Sequence, residues 1–321
     1  MAKIICGVDV SAQFLDVFLQ QRFHRFANTV AGIADLVAFC QAQPVDVVAV
    51  EASGGYERRM YRQLWAAGVP VAICNARAVR DFAKSMGLLE KTDSIDAAII
   101  AQYAAANQKL VAHPPQSGEH EQLRALVTRL RQLTEVRASQ RQQRLLVTDP
   151  VVLASFTRLL AWLTAEIRQL QKRIAQLIAD DPLWQPLDHA FRTIKGVADR
   201  TVACLMAELP EIGTLSHKAV SKLVGLAPLA DDSGQRRGPR RIRGGRTTVR
   251  HLLFIIASVV RRYHPDFTAF SQRLAAAGKA KKVILVALAH KLLIRLNAKA
   301  RDVRRQLTPT TSPALAAAVP S

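Results

Sequence analysis

Acidic residues are scarce in this chain. Against 45 Lys and Arg stand 25 Asp and Glu, a formal net charge of +20 over 321 residues with a pI near 10.6. That balance argues against a cationic partner and points to a polyanion, either nucleic acid or an acidic membrane surface. Cysteines are few and scattered: Cys6, Cys40, Cys74 and Cys204 lie more than thirty residues apart and form no C-x-x-C pair. No His stands near them at metal-ligand spacing, so a disulfide framework and a zinc site are excluded, and buried thiols in a reducing cytoplasm are expected. Long apolar runs are missing from the late sequence, where "LLFIIASVV" and "VILVALAHKLLIRL" are short or broken by His, Lys and Arg. The start, "MAKIICGVDV", is too short and too soon ended by a carboxylate for a signal peptide. A soluble protein with no membrane partner is expected, which leaves nucleic acid.

Half the residues are hydrophobic, and 321 residues suit more than one domain with a real core. The charge is not spread evenly. From Ser233 to Arg305 there are nineteen Lys and Arg against two acids, Asp266 and Asp302, so +17 of the total +20 lies in the C-terminal third. A polynucleotide-binding surface concentrates charge in this way; a solubilising surface spreads it.

Residues 3–10 and 15–21 read as two short strands, and "HRFANT" as a third. Helical spacing in "AGIADLVAFCQAQ" and "YERRMYRQLWAAG" alternates with the strands "VDVVAVEA" and "VPVAIC", and helices follow at 76–86 and 93–106. Three strands followed by alternating helices and strands is an α/β order. From Leu123 the pattern changes. Leu123, Leu126, Leu130 and Leu133, then Phe156, Leu160, Leu163, Ile167, Leu170, Ile174 and Leu177, recur at three and four, which describes a helical hairpin or coiled coil or, alternatively, one amphipathic helix packed on its own domain. After "DDPLWQP" a compact helical region begins. Its segment "IKGVADRTVACLMAELPEIG" resembles a helix-hairpin-helix, with Ala198 where the second glycine of that turn usually stands. The tail "LTPTTSPALAAAVPS" reads as disordered.

Four carboxylates stand out. Asp9 ends the strand "IICGVDV", and Glu51 ends "VDVVAVE". Asp93 and Asp96, in "KTDSIDA", fall at i and i+3 on the first turns of a helix and project from one face. Taken singly, each has an ordinary reading as a solvated strand end or a helix cap. Together they form an all-oxygen set suited to Mg²⁺, with no thiolate or imidazole, and two such ions at a phosphodiester activate one oxygen and stabilise another. Ser233, in "DDSGQRR", reads alone as part of a solvated turn. Arg236, Arg237, Arg240, Arg241, Arg243, Arg246 and Arg250, with no acid among them, make its surroundings a phosphate site, and Lys279, Lys281 and Lys282 extend the basic run.

The blocks "GVDVS", "VEASGGY", "KTDSIDA", "VGLAP…SG…GGR…VR" and "GKAKKVILVALAHKL" resemble, in order and from about residue 3 to 305, the insertion-sequence-110 transposases, relatives of the Piv site-specific invertase. The resemblance implies an α/β plus all-α fold. It places a RuvC-like (RNase H fold) domain at 1–112, a coiled-coil insertion at 113–185, a helical transposase domain at 186–307 and a tail at 308–321. It implies a catalytic, metal-binding DEDD tetrad at Asp9, Glu51, Asp93 and Asp96, served by Mg²⁺ as two ions, and a nucleophilic serine at Ser233. It also implies donor and target double-stranded DNA as substrates, a structured bridge RNA as guide, and dimers pairing into a tetramer at the prokaryotic nucleoid. The competing readings are a metal-dependent junction resolvase in which Ser233 only lines a phosphate groove, and a non-catalytic RNA-binding scaffold.

Overall fold

The computed structural model describes residues 3–52, 54–88, 93–238 and 240–307, with Asp93 and Ser94 described by backbone alone. The expected tail at 308–321 lies outside the described residues. The chain divides into two compact units, Met1–Gln116 and Ser117–Ser321.

In the first unit, β1 (Ile5–Val10), β2 (Phe14–Leu19) and β3 (Arg22–Ala27) form an antiparallel meander. Then α1 (Val30–Ala42), β4 (Val47–Glu51), α2 (Arg58–Ala66), β5 (Val71–Cys74), α3 (Ala76–Ser85) and α4 (Asp93–Ala106) alternate. The sheet order is β3-β2-β1-β4-β5, with β4 parallel to both β1 and β5. That mixed five-stranded sheet with helices is the RNase H-like arrangement expected from the sequence. Period-two alternation sends Cys6, Val8 and Val10 into a core shared with Ile33, Leu36, Met60 and Leu64 of α1 and α2. The other face of β1 meets α4. Gly7 is what allows this, because a Cβ there would stand 2.2 Å from the Ala97 carbonyl oxygen and 2.7 Å from the Ala101 amide. The small residues Ala97 and Ala101 complete the close approach.

The second unit is helical. The heptads form α5 (Gly118–Arg144) and α6 (Pro150–Asp180), capped by Ser117 and Asp149 and packed side by side as a hairpin. At 1.5 Å per residue these helices are about 40 and 46 Å long. Leu123, Leu130 and Leu133 of α5, and Leu163, Ile167 and Ile174 of α6, are buried. Next come α7 (Trp184–Arg192), α8 (Asp199–Glu208) and α9 (His217–Val224), four two-residue strands β6 (Pro228–Leu229), β7 (Asp232–Ser233), β8 (Arg236–Arg237) and β9 (Arg241–Ile242), then α10 (Thr247–Tyr263), α11 (Pro265–Ala276) and α12 (Lys281–Leu307). One apolar core runs from Leu123 in the hairpin to Val303 in α12, so the hairpin's root is continuous with the helices that follow. Asn297, fully buried in α12, ties the loop after α8 by accepting from the Gly213 amide at 2.8 Å and donating to the Leu215 carbonyl at 3.0 Å.

By length and composition α6 could also cross a bilayer, an apolar stretch that the late-sequence runs did not reveal. Arg158 and Glu166 interrupt it, and its buried heptad positions pack on α5.

Candidate active site

Parallel pairing of β1 with β4 sets Val8 beside Val50, so Asp9 and Glu51 emerge together at the C-terminal ends of adjacent strands. Ligands of open α/β sheets gather at that edge. Gly7 lets α4 cross β1 closely enough for Asp96, one turn into α4, to reach the same place. Asp9, Glu51 and Asp96, all half-buried, line one cleft of 420 Å³ whose other wall is α3. Three of the four expected carboxylates thus line one cleft. Asp93 begins α4, and its side chain lies outside the described residues.

The cleft's chemistry is oxygen-based. Cys74 stands beside Glu51 in the parallel ladder, but burial, and then the Glu51 charge, push its thiol up to about 11. Among the described residues no group of three or more His, Cys, Asp and Glu is gathered closely enough to hold an ion. The donors fit a hard divalent cation in kind.

Two charged groups of this face escaped the sequence reading. Asp16 is directly opposite Asp9 across the β1–β2 ladder, and like charges so placed repel. Arg25 offsets this by donating from Nε to Asp16 Oδ1 at 2.8 Å. The second is Arg80, which lines the cleft from α3. A lone acid in the otherwise apolar "FLDVFL" was the available signal for the first; nothing local in "ARAVRDFAKS" marks Arg80.

Ser233 belongs to the second unit, where "DDSGQRR" is not a loose turn but the end of a β-ribbon. The outer pair β6–β9 joins Pro228 to Ile242 and Leu229 to Arg241, and the inner pair β7–β8 sets Asp232 against Arg237 and Ser233 against Arg236. Gly234, at φ 54°, supplies the left-handed backbone that such a two-residue hairpin turn requires. The neck closes on glycine: a Cβ on Gly225 would stand 2.1 Å from the Gly244 oxygen, and one on Gly245 2.3 Å from the Gly225 amide. The "GLAP" and "GGR" blocks therefore meet, and Ser233 is exposed at the far tip.

The arginines around it divide. Arg236, Arg237, Arg241 and Arg243 are exposed, and their side chains bond to no described residue. Arg240 pairs with Asp232 at 2.9 Å. Arg250 donates to the Gly244 carbonyl. Arg246, also expected to bind nucleic acid, clamps the protein. It grips both carboxylate oxygens of Glu211 at 2.6 and 2.5 Å and donates to the Glu208 carbonyl at 2.8 Å. Burial raises the Glu211 carboxyl's pKa, but the Arg246 bonds outweigh it and hold the group below the ordinary glutamate value. Lys281 and Lys282 are exposed at the start of α12, where the helix dipole adds positive potential, and Lys279 is exposed just before it. The hairpin-helix motif is present as α7, a turn with Gly196 at φ 105°, and α8.

A family model of the DEDD type described as "Transposase" matches residues 6–148, the span that holds the carboxylate cleft. A second, "Transposase IS116/IS110/IS902 family", matches residues 188–272, the span that holds the ribbon. Fold, cleft and both matches define a transposase, an enzyme that cuts and joins DNA. Among curated proteins the chain is similar to the pilin gene-inverting proteins of Moraxella lacunata and Moraxella bovis, each 28% identical over 311 residues that cover 91% of this chain and 94% of the relative. The chain belongs to the IS110 family of transposases. Its DEDD domain implies a divalent metal.

Proposed function

We propose that this transposase is an RNA-guided serine recombinase, in which the carboxylate cleft and Ser233 act on the same DNA phosphodiester. The observation that carries this reading is the position of Ser233, exposed at the tip of a ribbon whose arginines Arg236, Arg237, Arg241 and Arg243 have no described side-chain partner. Asp9, Glu51, Asp96 and, by its place in the motif, Asp93 would hold Mg²⁺, as two ions in this reading. When bound, the metal supplies electrostatic stabilisation for charge that builds on the phosphate oxygens.

Ser233 Oγ loses its proton and bonds to phosphorus as the bond from phosphorus to one deoxyribose oxygen breaks, and that oxygen takes up a proton. The ribbon arginines hold the non-bridging oxygens. Reversal by the hydroxyl of the other DNA partner releases the serine, so the phosphoester bond energy is conserved and no nucleotide cofactor is needed. Inversion of a gene, which the names of the Moraxella relatives state for those proteins, is rearrangement of the same kind. A structured bridge RNA selects donor and target duplexes. The excess of +17 between Ser233 and Arg305 supports a polyanionic partner.

Asp96 and Ser233 are 137 residues apart with the long hairpin between them, and they fall in separate compact units. We take the complete site to form between protomers, with dimers pairing into a tetramer at the nucleoid. The far end of the α5–α6 hairpin supports self-association, because Leu145, Leu146 and Trp162 are 84%, 89% and 55% exposed there.

A junction resolvase is the second reading, and one observation favours it: among the described residues no base is hydrogen-bonded to Ser233. Reconstituted recombination tests the proposal. Purified protein with its co-purifying RNA, Mg²⁺ and two duplexes should give joined product, and Asp9→Ala, Ser233→Ala and prior ribonuclease treatment should each abolish it. Strands that are cut but not joined, equally in wild type and Ser233→Ala, would favour the resolvase, and joined product after ribonuclease would remove the guide.

A further inference from the structure

Three half-buried carboxylates make the cleft of the first unit hostile to the group it must receive. A DNA phosphate carries negative charge, and each neighbouring carboxylate repels it unless a cation stands between them. One wall supplies a fixed cation. Helix α3 follows β5 directly, and Asn75 caps it by accepting from the Ala78 amide at 3.1 Å, which fixes the phase of the helix against the sheet. Ala76, Val79, Arg80 and Ala83 then fall at i, i+3, i+4 and i+7 and form the cleft wall. Among the described residues that line this cleft, Arg80 is the only base. Its neighbour Arg77 faces outward, 3.7 Å from Asp81. Arg80 is half-buried and makes no hydrogen bond or ion pair with any described residue. Holding a guanidinium at a crowded acidic cleft without pairing it to a carboxylate leaves its planar donor fork available to an incoming oxyanion.

We propose that Arg80 is a further catalytic residue of this transposase, which holds a non-bridging oxygen of the DNA phosphate that enters the carboxylate cleft. This rests on the reading of that cleft as the cutting centre. Arginine suits the task because its charge is permanent and its fork grips two oxygens, whereas lysine offers only a point charge. The competing role is that of a counter-ion, which neutralises Asp9, Glu51 and Asp96 and competes with metal for them.

Arg80→Gln and Arg80→Lys in the full chain separate these roles. Three readouts are needed: single-turnover cutting of an end-labelled duplex with the co-purifying RNA, Mn²⁺ binding followed by its paramagnetic resonance, and thermal melting. Phosphate holding predicts a fall in cutting of about 100-fold for Arg80→Gln, partial recovery in Arg80→Lys, and unchanged Mn²⁺ binding and melting in both. Wild-type cutting by Arg80→Gln overturns the proposal. So does tighter Mn²⁺ binding, which is the mark of a counter-ion, or loss of cutting together with Mn²⁺ binding or melting in both variants. Asp9→Asn is the control for the cleft itself: if it cuts normally, the reading of the cleft fails, whatever Arg80 does.

Discussion

Gly7 shows how one missing side chain builds a site. Its lack of a Cβ lets α4 lie on β1, and that contact carries Asp96 to Asp9 and Glu51. A Cβ at this position meets backbone, which cannot rotate away, so Gly7→Ala should cost about 1 to 3 kcal/mol, as overpacking does. Thermal melting should record the loss, and cutting should fall further than stability alone explains, because Asp96 moves with α4. Equal melting and activity would show that α4 accommodates the methyl. Glu211 and Arg246 make a second case. With the carboxyl's folded-state pKa held below its ordinary 4.5, the pair's contribution is present above that pH and disappears as pH falls through the folded value. Glu211→Gln should lower stability by about 1 to 3 kcal/mol at pH 7, and the difference from wild type in denaturant titrations should shrink in acid. Asp9, Glu51 and Asp96 were legible because a carboxylate at the end of an apolar strand or on one face of a helix is conspicuous. Arg80 was not, since only the packing of α3 distinguishes it from other surface arginines.

At the scale of elements, the hairpin was written plainly in the sequence and the ribbon was not. Heptad spacing survives in α5 and α6 because each buried leucine or isoleucine reports its neighbour three or four positions on. The ribbon has strands of two residues each, too short for alternation to register, and its closure depends on Gly225 and Gly245, some twenty residues apart. Gly225→Ala should therefore open the neck. Its φ of 77° and its contact with Gly244 both oppose a side chain, and DNA joining should be lost while the far-ultraviolet spectrum stays helical. At the hairpin's far end, exposed apolar residues invite a partner. Replacing Leu145, Leu146 and Trp162 with Ser should lower the mass seen by light scattering without loss of helicity. An unchanged mass would count against self-association through this end of the hairpin.

At the scale of the whole molecule, the cleft carboxylates lie in the first unit, and Ser233 and most of the Lys and Arg lie in the second. Charge segregation was visible in composition alone, whereas the division of labour among the arginines was not: which of them pair inward depends on where Glu211 and the Gly244 carbonyl lie in space. If sites form between protomers, a mixture of Asp9→Ala and Ser233→Ala proteins should recover joining that neither shows alone, and no recovery at any ratio would place both halves in one chain. The most direct test of the central claim, that Ser233 attacks the DNA phosphate, is a denaturing gel of end-labelled duplex incubated with protein, co-purifying RNA and Mg²⁺. The account predicts a labelled strand that migrates with the protein, survives denaturation and is absent from Ser233→Ala. A strand that is cut but never linked, or linked equally in Ser233→Ala, would contradict it.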